Sequence, residues 1–300
     1  MRFLLGILAF IFCMGFAASE ALSSDTSLVG VWDVRAKTKI AYGELIDGLK
    51  DAKQLIVGET HNNIFVQQAE TDLLKLWLFA NQQSNYKDSF TFAWEFLNWS
   101  DRPLIQEAYA RYHEGEMDID GFLEIIFGSI ESVKEYKVLV STVKNLNGKI
   151  LETNLSREQK APVVKNGLAA LDPELLPPGF SLGGANYFER FKKAMGGHAS
   201  PEKLNNYFAA QCLVDDVAAY HISTNTKTAA KQDPVFLVMG SFHTDYFDGA
   251  FARLLERDPM VTRKLVKIVP ASEFSNLTEF QNVVWGSVYG DIADYVLVTP

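Results

Sequence analysis

Two histidines follow apolar segments through the same short turn, in which a glycine and two further residues precede the histidine. The first segment runs from Gln54 to His61 and the second from Pro234 to His243. Each has the composition of a buried strand that ends at the glycine. Ligands gather outside the carboxyl ends of the strands in an open α/β sheet. We therefore expect His61 and His243 to lie at the same edge of one sheet.

Further polar side chains fall at the ends of predicted strands. Glu59 lies inside the first turn, Glu95 ends the next predicted strand and Asn154 ends the third. Two imidazoles and two carboxylates suffice for a zinc-type site of three protein ligands and a water molecule. His61, His243 and Glu59 are the candidate metal ligands. Glu59 and Glu95 are the candidate catalytic residues, because the carboxylate not bound to metal can act as a general base.

Other residues are candidates for a supporting role. Gln211 and Asp215 are four residues apart and share one face of a predicted helix, from which they can orient a ligand histidine. The alternative for this pair is a solvated acidic face. Arg157 can bind an anionic group, although surface arginines are common. Three histidines have no companions in the sequence and are interpreted as structural or surface residues: His113, His198 and His221.

Strands and helices alternate along the chain. Apolar segments predict strands at residues 54–58, 89–96, 149–154, 235–239, 265–269 and 295–299. Helical spacing predicts helices at residues 43–49, 64–79, 102–145, 200–224 and 247–256, the third interrupted near Gly115 and Gly128. Residues 28–41 are predicted to be a leading strand or arm. Residues 161–185, rich in Pro and Gly, are predicted to be a loop with broken helices, within a lid over 161–199 that can cover a pocket. This order predicts an α/β fold with a mainly parallel sheet flanked by helices. The long segment 102–145 predicts a helical insertion over the carboxyl ends of the strands.

The first residues have the pattern of a secretory signal. A basic residue precedes an apolar run from Phe3 to Phe16, and small residues follow up to Ala21. We expect residues 1–21 to be removed and 22–300 to form one domain, exported to the periplasm or the outer membrane without a transmembrane span. A lipid anchor at Cys13 is disfavoured because Phe12 precedes it.

Composition excludes several classes of protein. The net charge is -9 and no basic cluster is present, which disfavours nucleic acid as a partner. The sequence contains no Gly-x-Ser-x-Gly elbow, phosphate-binding loop, dinucleotide-binding glycine pattern or Cys-x-x-Cys-His motif. Serine hydrolases, nucleotide-binding enzymes and covalent haem proteins are therefore disfavoured.

Together the motifs resemble those of the ChaN-like haem-binding family, within a superfamily that includes Tiki and TraB proteins and the erythromycin esterases. The resembling positions are Gly58 to Asn63, Glu95, Asn154, Gln211, Asp215, Gly240 to His243 and Gly249. The resemblance implies a haem cofactor, a role in haem or iron acquisition, and haem held in a homodimer through a tyrosine. The tyrosines left open are Tyr109, Tyr112, Tyr136, Tyr187 and Tyr246.

Two further functions remain open beside haem binding. Likeness to Tiki proteins implies a hydrolase of peptide or ester bonds, with a divalent metal such as zinc on His61, His243 and a glutamate. The second of these functions is that of an envelope protein that keeps an inactive site and acts only as a binding partner of other proteins. For haem or another small ligand, the candidate cofactor-binding residues are Asn154, Arg157, Gln211, Asp215 and Tyr246.

Overall fold

The structure is a computed structural model that describes residues 26–81, 90–197, 199–226 and 233–300. The predicted signal peptide, the polar segment of residues 82–88 between the predicted helix 64–79 and the strand 89–96, and His198 lie outside these ranges. Within them, no helix combines the length and the apolar composition that crossing a bilayer requires.

The described residues form one eight-stranded, mainly parallel sheet. Its strands are β1 (Gly30–Asp33), β2 (Thr38–Ile40), β3 (Gln54–Glu59), β4 (Thr91–Asn98), β5 (Lys149–Asn154), β6 (Val235–Gly240), β7 (Arg263–Pro270) and β8 (Tyr295–Thr299). Their order is β2-β1-β8-β7-β3-β6-β4-β5. Only β1 pairs in the antiparallel sense, with β2 and with β8, among these strands. The α/β fold predicted from the sequence is confirmed, and the leading arm forms two short strands.

Strand β3 lies inside the sheet, and all six of its residues are buried. It is parallel to β6 on one side and to β7 on the other, so that Leu55 aligns with Phe236 and with Lys264. The same register places Glu59 beside Gly240. The two turns that end in His61 and His243 therefore leave the same edge of the sheet from neighbouring strands, as the sequence predicts.

Helices cover both faces of the sheet. They are α1 (Tyr42–Leu49), α2 (Ile64–Asn81), α3 (Arg102–Glu114), α4 (Ile119–Phe127), α5 (Lys137–Asn145), α6 (Arg157–Asn166), α7 (Ala185–Ala194), α8 (Pro201–Asn225), α9 (Gly249–Arg257) and α10 (Leu277–Val284). Successive side chains of a strand point to opposite faces. Leu55 and Val57 accordingly pack with α1 to α5, whereas Ile56 packs with α8, α9 and α10.

Helices α3 to α5 form the predicted insertion. Gly115 and Gly128 end α3 and α4 with φ values of 82° and 69°, a left-handed conformation that glycine adopts without steric cost. The insertion reaches the strand ends where Phe127 packs edge-on against Trp94. The two glycine interruptions that the sequence predicts are therefore helix ends.

Three segments differ from the prediction. Residues 157–166 form α6 rather than the start of a loop, because Ser156 and Gln159 cap the helix reciprocally and so favour its first turn despite Pro162. The lid region also contains α7, so it is less loop-rich than its composition indicates. Helix α10, which begins at its cap Asn276, was not predicted. Its eight residues give only a short periodic pattern.

Candidate functional site

Glu59 is the buried acceptor at the end of β3. Its Oε1 accepts hydrogen bonds from the Tyr136 hydroxyl at 2.6 Å and from His61 Nδ1 at 2.9 Å. Its Oε2 accepts one from Gln67 Nε2 at 2.5 Å. Tyr136 precedes α5 and Gln67 lies in the second turn of α2, so the insertion and the β3–α2 connection both hold this carboxylate.

Glu59 and His61 form an ion pair that is mostly shielded from water. Burial alone would raise the pKa of Glu59, but hydrogen bonds, first among them that from His61, lower it below its ordinary value of 4.5. Burial alone would lower the pKa of His61, but the hydrogen bond to Glu59 and the charge of Glu95 raise it above 6.5. The pair is therefore charged at mildly acidic pH.

This ion pair should make stability depend on pH. The lowered pKa of Glu59 gives a contribution that is present above pH 4.5 and is lost as the pH falls through that pKa. The raised pKa of His61 gives a contribution that is present below pH 6.5 and is lost as the pH rises through that pKa. In urea unfolding across pH, the stability difference between the wild type and His61→Gln should be largest from pH 4.5 to 6.5.

The exposed His113 provides the control for that series, since His113→Gln should show no such maximum. A difference between the wild type and His61→Gln that grows steadily above pH 6.5 would contradict the charged pair.

Glu95 reaches the site because β4 is irregular. The register between β4 and β5 shifts between Trp94 and Asn98, which indicates extra residues in β4 and a bulge that redirects its side chains. Glu95 Oε2 accepts a hydrogen bond of 2.6 Å from the backbone N–H of Gly240, and its Oε1 lies 3.4 Å from His243 Nε2. Burial would raise the pKa of Glu95, but the charges of His243 and His61 lower it.

His243 is buried between two carboxylates. Its Nδ1 donates to Asp215 Oδ1 at 2.6 Å, and Asp215 Oδ2 accepts from the Tyr187 hydroxyl at 2.8 Å. Burial would lower the pKa of His243, but Glu95 and Asp215 raise it, and burial raises the pKa of Asp215. Because the pKa values of His243 and Asp215 are both raised, a proton shared between these two side chains is favoured.

The predicted role of Gln211 and Asp215 agrees with this geometry. The amide nitrogen of Gln211 lies 3.0 Å and 3.2 Å from the two ring nitrogens of His243, and it also donates to the Tyr187 hydroxyl. Neither residue belongs to a solvated face, since Asp215 is buried and Gln211 half-buried. We define Glu59, His61, Glu95, Asp215 and His243 as the central cluster.

Glycine at position 240 allows the two halves of the central cluster to meet. A Cβ atom there would lie 2.8 Å from His61 Nε2 and 3.5 Å from Glu95 Oε2, closer than the imidazole allows. The backbone φ of Gly240 is -53°, which any residue can adopt. Glycine is needed at this position for space and not for backbone conformation.

The central cluster is suited to holding and moving protons. Two imidazole–carboxylate pairs flank a third carboxylate, an arrangement seen in general acid–base sites. In both pairs the Nδ1 atom is already bonded to a carboxylate. Among the described residues, no group of three or more His, Cys, Asp or Glu side chains has the geometry to hold a metal ion. The prediction of a three-ligand zinc-type site on His61, His243 and Glu59 therefore has no support.

A fourth carboxyl group, that of Glu70, lies beside Glu59 and was not predicted. It is fully buried, and neither of its oxygens has a hydrogen-bond partner of normal geometry among the described residues. Burial, and then the charge of Glu59, raise its pKa well above 4.5, which favours the protonated form of Glu70. The sequence signal that could have revealed it is the polar group Gln67, Glu70 and Thr71 at helical spacing in α2.

Two predicted cofactor-binding residues have different surroundings. Asn154 donates from Nδ2 to the backbone carbonyl of Glu95 at 2.9 Å and accepts from Lys160 at 3.1 Å. It thus fixes the irregular part of β4. Arg157 is exposed on α6, and no hydrogen bond or ion pair joins it to the central cluster in the described part of the chain.

Four of the five tyrosines considered as haem ligands use their hydroxyls inside the protein. The acceptors of Tyr109, Tyr112, Tyr136 and Tyr187 are respectively the Gly148 carbonyl, Ser141, Glu59 and Asp215. Burial raises the pKa of Tyr136 and of Tyr187, which opposes the phenolate form that iron binds. Tyr246 is half-buried beneath the Arg190 guanidinium, at φ 65°.

Comparison with known proteins identifies a family that the chain matches and solved structures that it resembles. The family model described as "Haem-binding uptake, Tiki superfamily, ChaN" matches residues 45–254. A solved structure titled "Cofacial heme binding to ChaN of Campylobacter jejuni" is 17% identical with a TM-score of 0.65, covering 91% of this chain and 97% of that one. An erythromycin esterase mutant, EreC in its open conformation, is 9% identical with a TM-score of 0.45, covering 81% and 76%. No curated protein matches.

Proposed function

Because the chain belongs to the ChaN family of haem-binding uptake proteins in the Tiki superfamily, we propose that it binds haem and serves in haem or iron acquisition. The observation that carries this proposal is the family match over residues 45–254, which extends from α1 to α9. The fold shared with ChaN of Campylobacter jejuni, a protein described with cofacial haem bound, supports it.

The proposal gives the central cluster a role other than holding metal. Its imidazoles and carboxylates are bonded to one another at 2.6 to 2.9 Å within each pair. Such a satisfied network fixes the carboxyl ends of β3, β4 and β6 relative to each other. We propose that the cluster supports the ligand site by this rigidity.

Export and assembly belong to the same proposal. The apolar run from Phe3 to Phe16 and the small residues after it support a cleaved signal and a location in the periplasm or at the outer membrane. The family resemblance supports a homodimer that forms around haem. Size-exclusion chromatography with and without haemin tests assembly, and an unchanged elution volume at saturating haemin would contradict it.

A haemin titration of the chain from Leu22 onward tests the proposed function directly. We expect a saturable shift of the Soret band, because a defined site gives haem iron one coordination environment. Elemental analysis before haemin is added should find no stoichiometric divalent metal. Serum albumin, which binds haem, is the positive control for the optical method. Absorbance equal to that of free haemin at every ratio would contradict the proposed function.

A further inference from the structure

The outer side of α2 carries a row of side chains that remains exposed to solvent. Phe65 is 54% exposed and Phe79 65% exposed, while Asp72 is exposed and Leu76 half-buried between them. These residues share one side of α2 because seven residues are close to two helical turns. We define Phe65, Asp72, Leu76 and Phe79 as the α2 row. Exposed apolar surface with polar side chains around it marks sites of association.

A groove of about 240 Å³ runs beside the α2 row. Its walls are mostly apolar and come from α2 between Phe65 and Leu76, from Tyr42 of α1 and from β8. The ring of Phe79 projects from the other end of α2. Phe65 precedes Asp72 by seven positions, and Phe79 follows it by seven. One helix therefore carries an apolar groove on one side of Asp72 and a projecting aromatic ring on the other side.

This spacing makes the α2 row complementary to a second copy of itself. If two copies of α2 pack antiparallel about a two-fold axis at Asp72, positions equally far before and after Asp72 face each other. The partner's Phe79 then lies over the groove beside Phe65, and the partner's Leu76 faces Gln68, which also lines the groove. In a two-fold interface the same patch is used by both copies, so each contact forms twice.

The charges at the centre of α2 are complementary in the same arrangement. Lys75 lies 3.5 Å from Asp72 within the helix, and both side chains are more than half exposed. Three residues span about 4.5 Å along a helix axis, so each Lys75 also lies close to the partner's Asp72. Two carboxylates and two ammonium groups then surround the axis with no net charge. Exposed pairs of this kind add little affinity, but they select the register of the contact.

We propose that the α2 row is the interface of a symmetric dimer of this chain, which forms without haem and packs the two α2 helices antiparallel. This dimer is distinct from the haem-bridged homodimer that the family resemblance implies. None of the tyrosines considered as haem ligands lies in α2, so the two interfaces use different residues and can exist together. The inference therefore does not depend on the proposed function.

Self-association of the haem-free chain from Leu22 onward tests this interface. Sedimentation velocity over a series of concentrations should show a monomer–dimer equilibrium. Phe79→Ala should raise the dissociation constant of the dimer by roughly tenfold or more, because an aromatic side chain that fills a groove is a typical anchor of an interface and is lost from both copies. Met260→Ala, which removes an apolar side chain 92% exposed in the turn before β7, should leave the constant unchanged.

Charge reversal tests the antiparallel register. Asp72→Lys gives two positive side chains per copy at the axis, and Lys75→Asp gives two negative ones. Each variant alone should self-associate roughly tenfold more weakly than the wild type, because like charges then face each other. An equimolar mixture of the two variants should form a mixed dimer, since one copy is positive at the axis and the other negative.

Several results would overturn the proposed interface. One is a haem-free chain that stays monomeric at every concentration, and another is a dimer that Phe79→Ala leaves as strong as the wild type. Two charge variants that form no mixed dimer would reject the antiparallel register. Flotation of the monomer with phosphatidylethanolamine vesicles, lost in Phe79→Ala, would assign the α2 row to a membrane instead. Circular dichroism confirms that each variant is folded. Failure of the haemin titration, by contrast, would reject the proposed function and leave this interface standing.

Discussion

Replacing Asp215 with alanine should lower the free energy of unfolding by about 3–5 kcal/mol, the usual cost of removing one partner from a buried ion pair. Asp215 is 1% exposed and accepts hydrogen bonds from both His243 and Tyr187. The alanine variant leaves those two donors buried without an acceptor. Urea unfolding followed by tryptophan fluorescence measures the change as a shift in midpoint at constant slope.

Two further variants serve as comparisons for the loss of stability in Asp215→Ala. Asp215→Asn keeps one carbonyl acceptor and should lose less stability than Asp215→Ala. Asp72→Ala removes a carboxylate with a side chain 57% exposed on α2, and its effect should stay within about 0.5 kcal/mol. A loss under about 1 kcal/mol for Asp215→Ala would show that the protein in solution does not depend on the Asp215–His243 contact.

Replacing Gly249 with alanine should cost about 2–4 kcal/mol. The residue has φ 52°, a left-handed conformation that costs an alanine about 1–2 kcal/mol. An added Cβ would also lie 3.1 Å from Asp215 Oδ1 and against the His243 carbonyl oxygen. The backbone cannot turn away as a flexible side chain would, so the second turn must shift and carry His243 with it.

Gly43 offers the matched control for Gly249. It lies in α1 with no atom within 4 Å of the position of its Cβ. Gly43→Ala should therefore be neutral or stabilise the protein by less than about 1 kcal/mol, as alanine favours helices. Thermal unfolding of both variants decides the matter, and equal melting temperatures would show that the site tolerates displacement of the His243 turn.

The sequence predicted the sheet edge and its two histidines because that information is local. An apolar strand, a glycine and a polar turn lie within about ten residues, and the alternation of elements fixes the parallel arrangement. The helix predicted at residues 200–224 was confirmed for the same reason, since the Ser200 side chain caps α8 and Pro201 begins it. The end of α6 was missed because the prolines and glycines of the predicted loop at residues 161–185 outweighed the capping pair Ser156 and Gln159.

Local sequence patterns do not predict which residues form hydrogen bonds with the central cluster. Tyr136 meets Glu59 from an element 77 positions along the chain, and Tyr187 meets Asp215 across 28. Such contacts depend on how the insertion and α7 pack, which periodicity does not specify.

The position of β3 in the sheet bears on how the protein folds. Both neighbours of β3 come from the last third of the chain. Leu55 therefore pairs with Phe236 and Lys264 only after most of the chain has been synthesised. Pairings of such long sequence separation slow folding, because the entropy of closing large loops is lost before the contacts form. During synthesis the central strand therefore has neither partner until β6 emerges. The edge that carries His61 and His243 is expected to be among the last parts of the molecule to assemble.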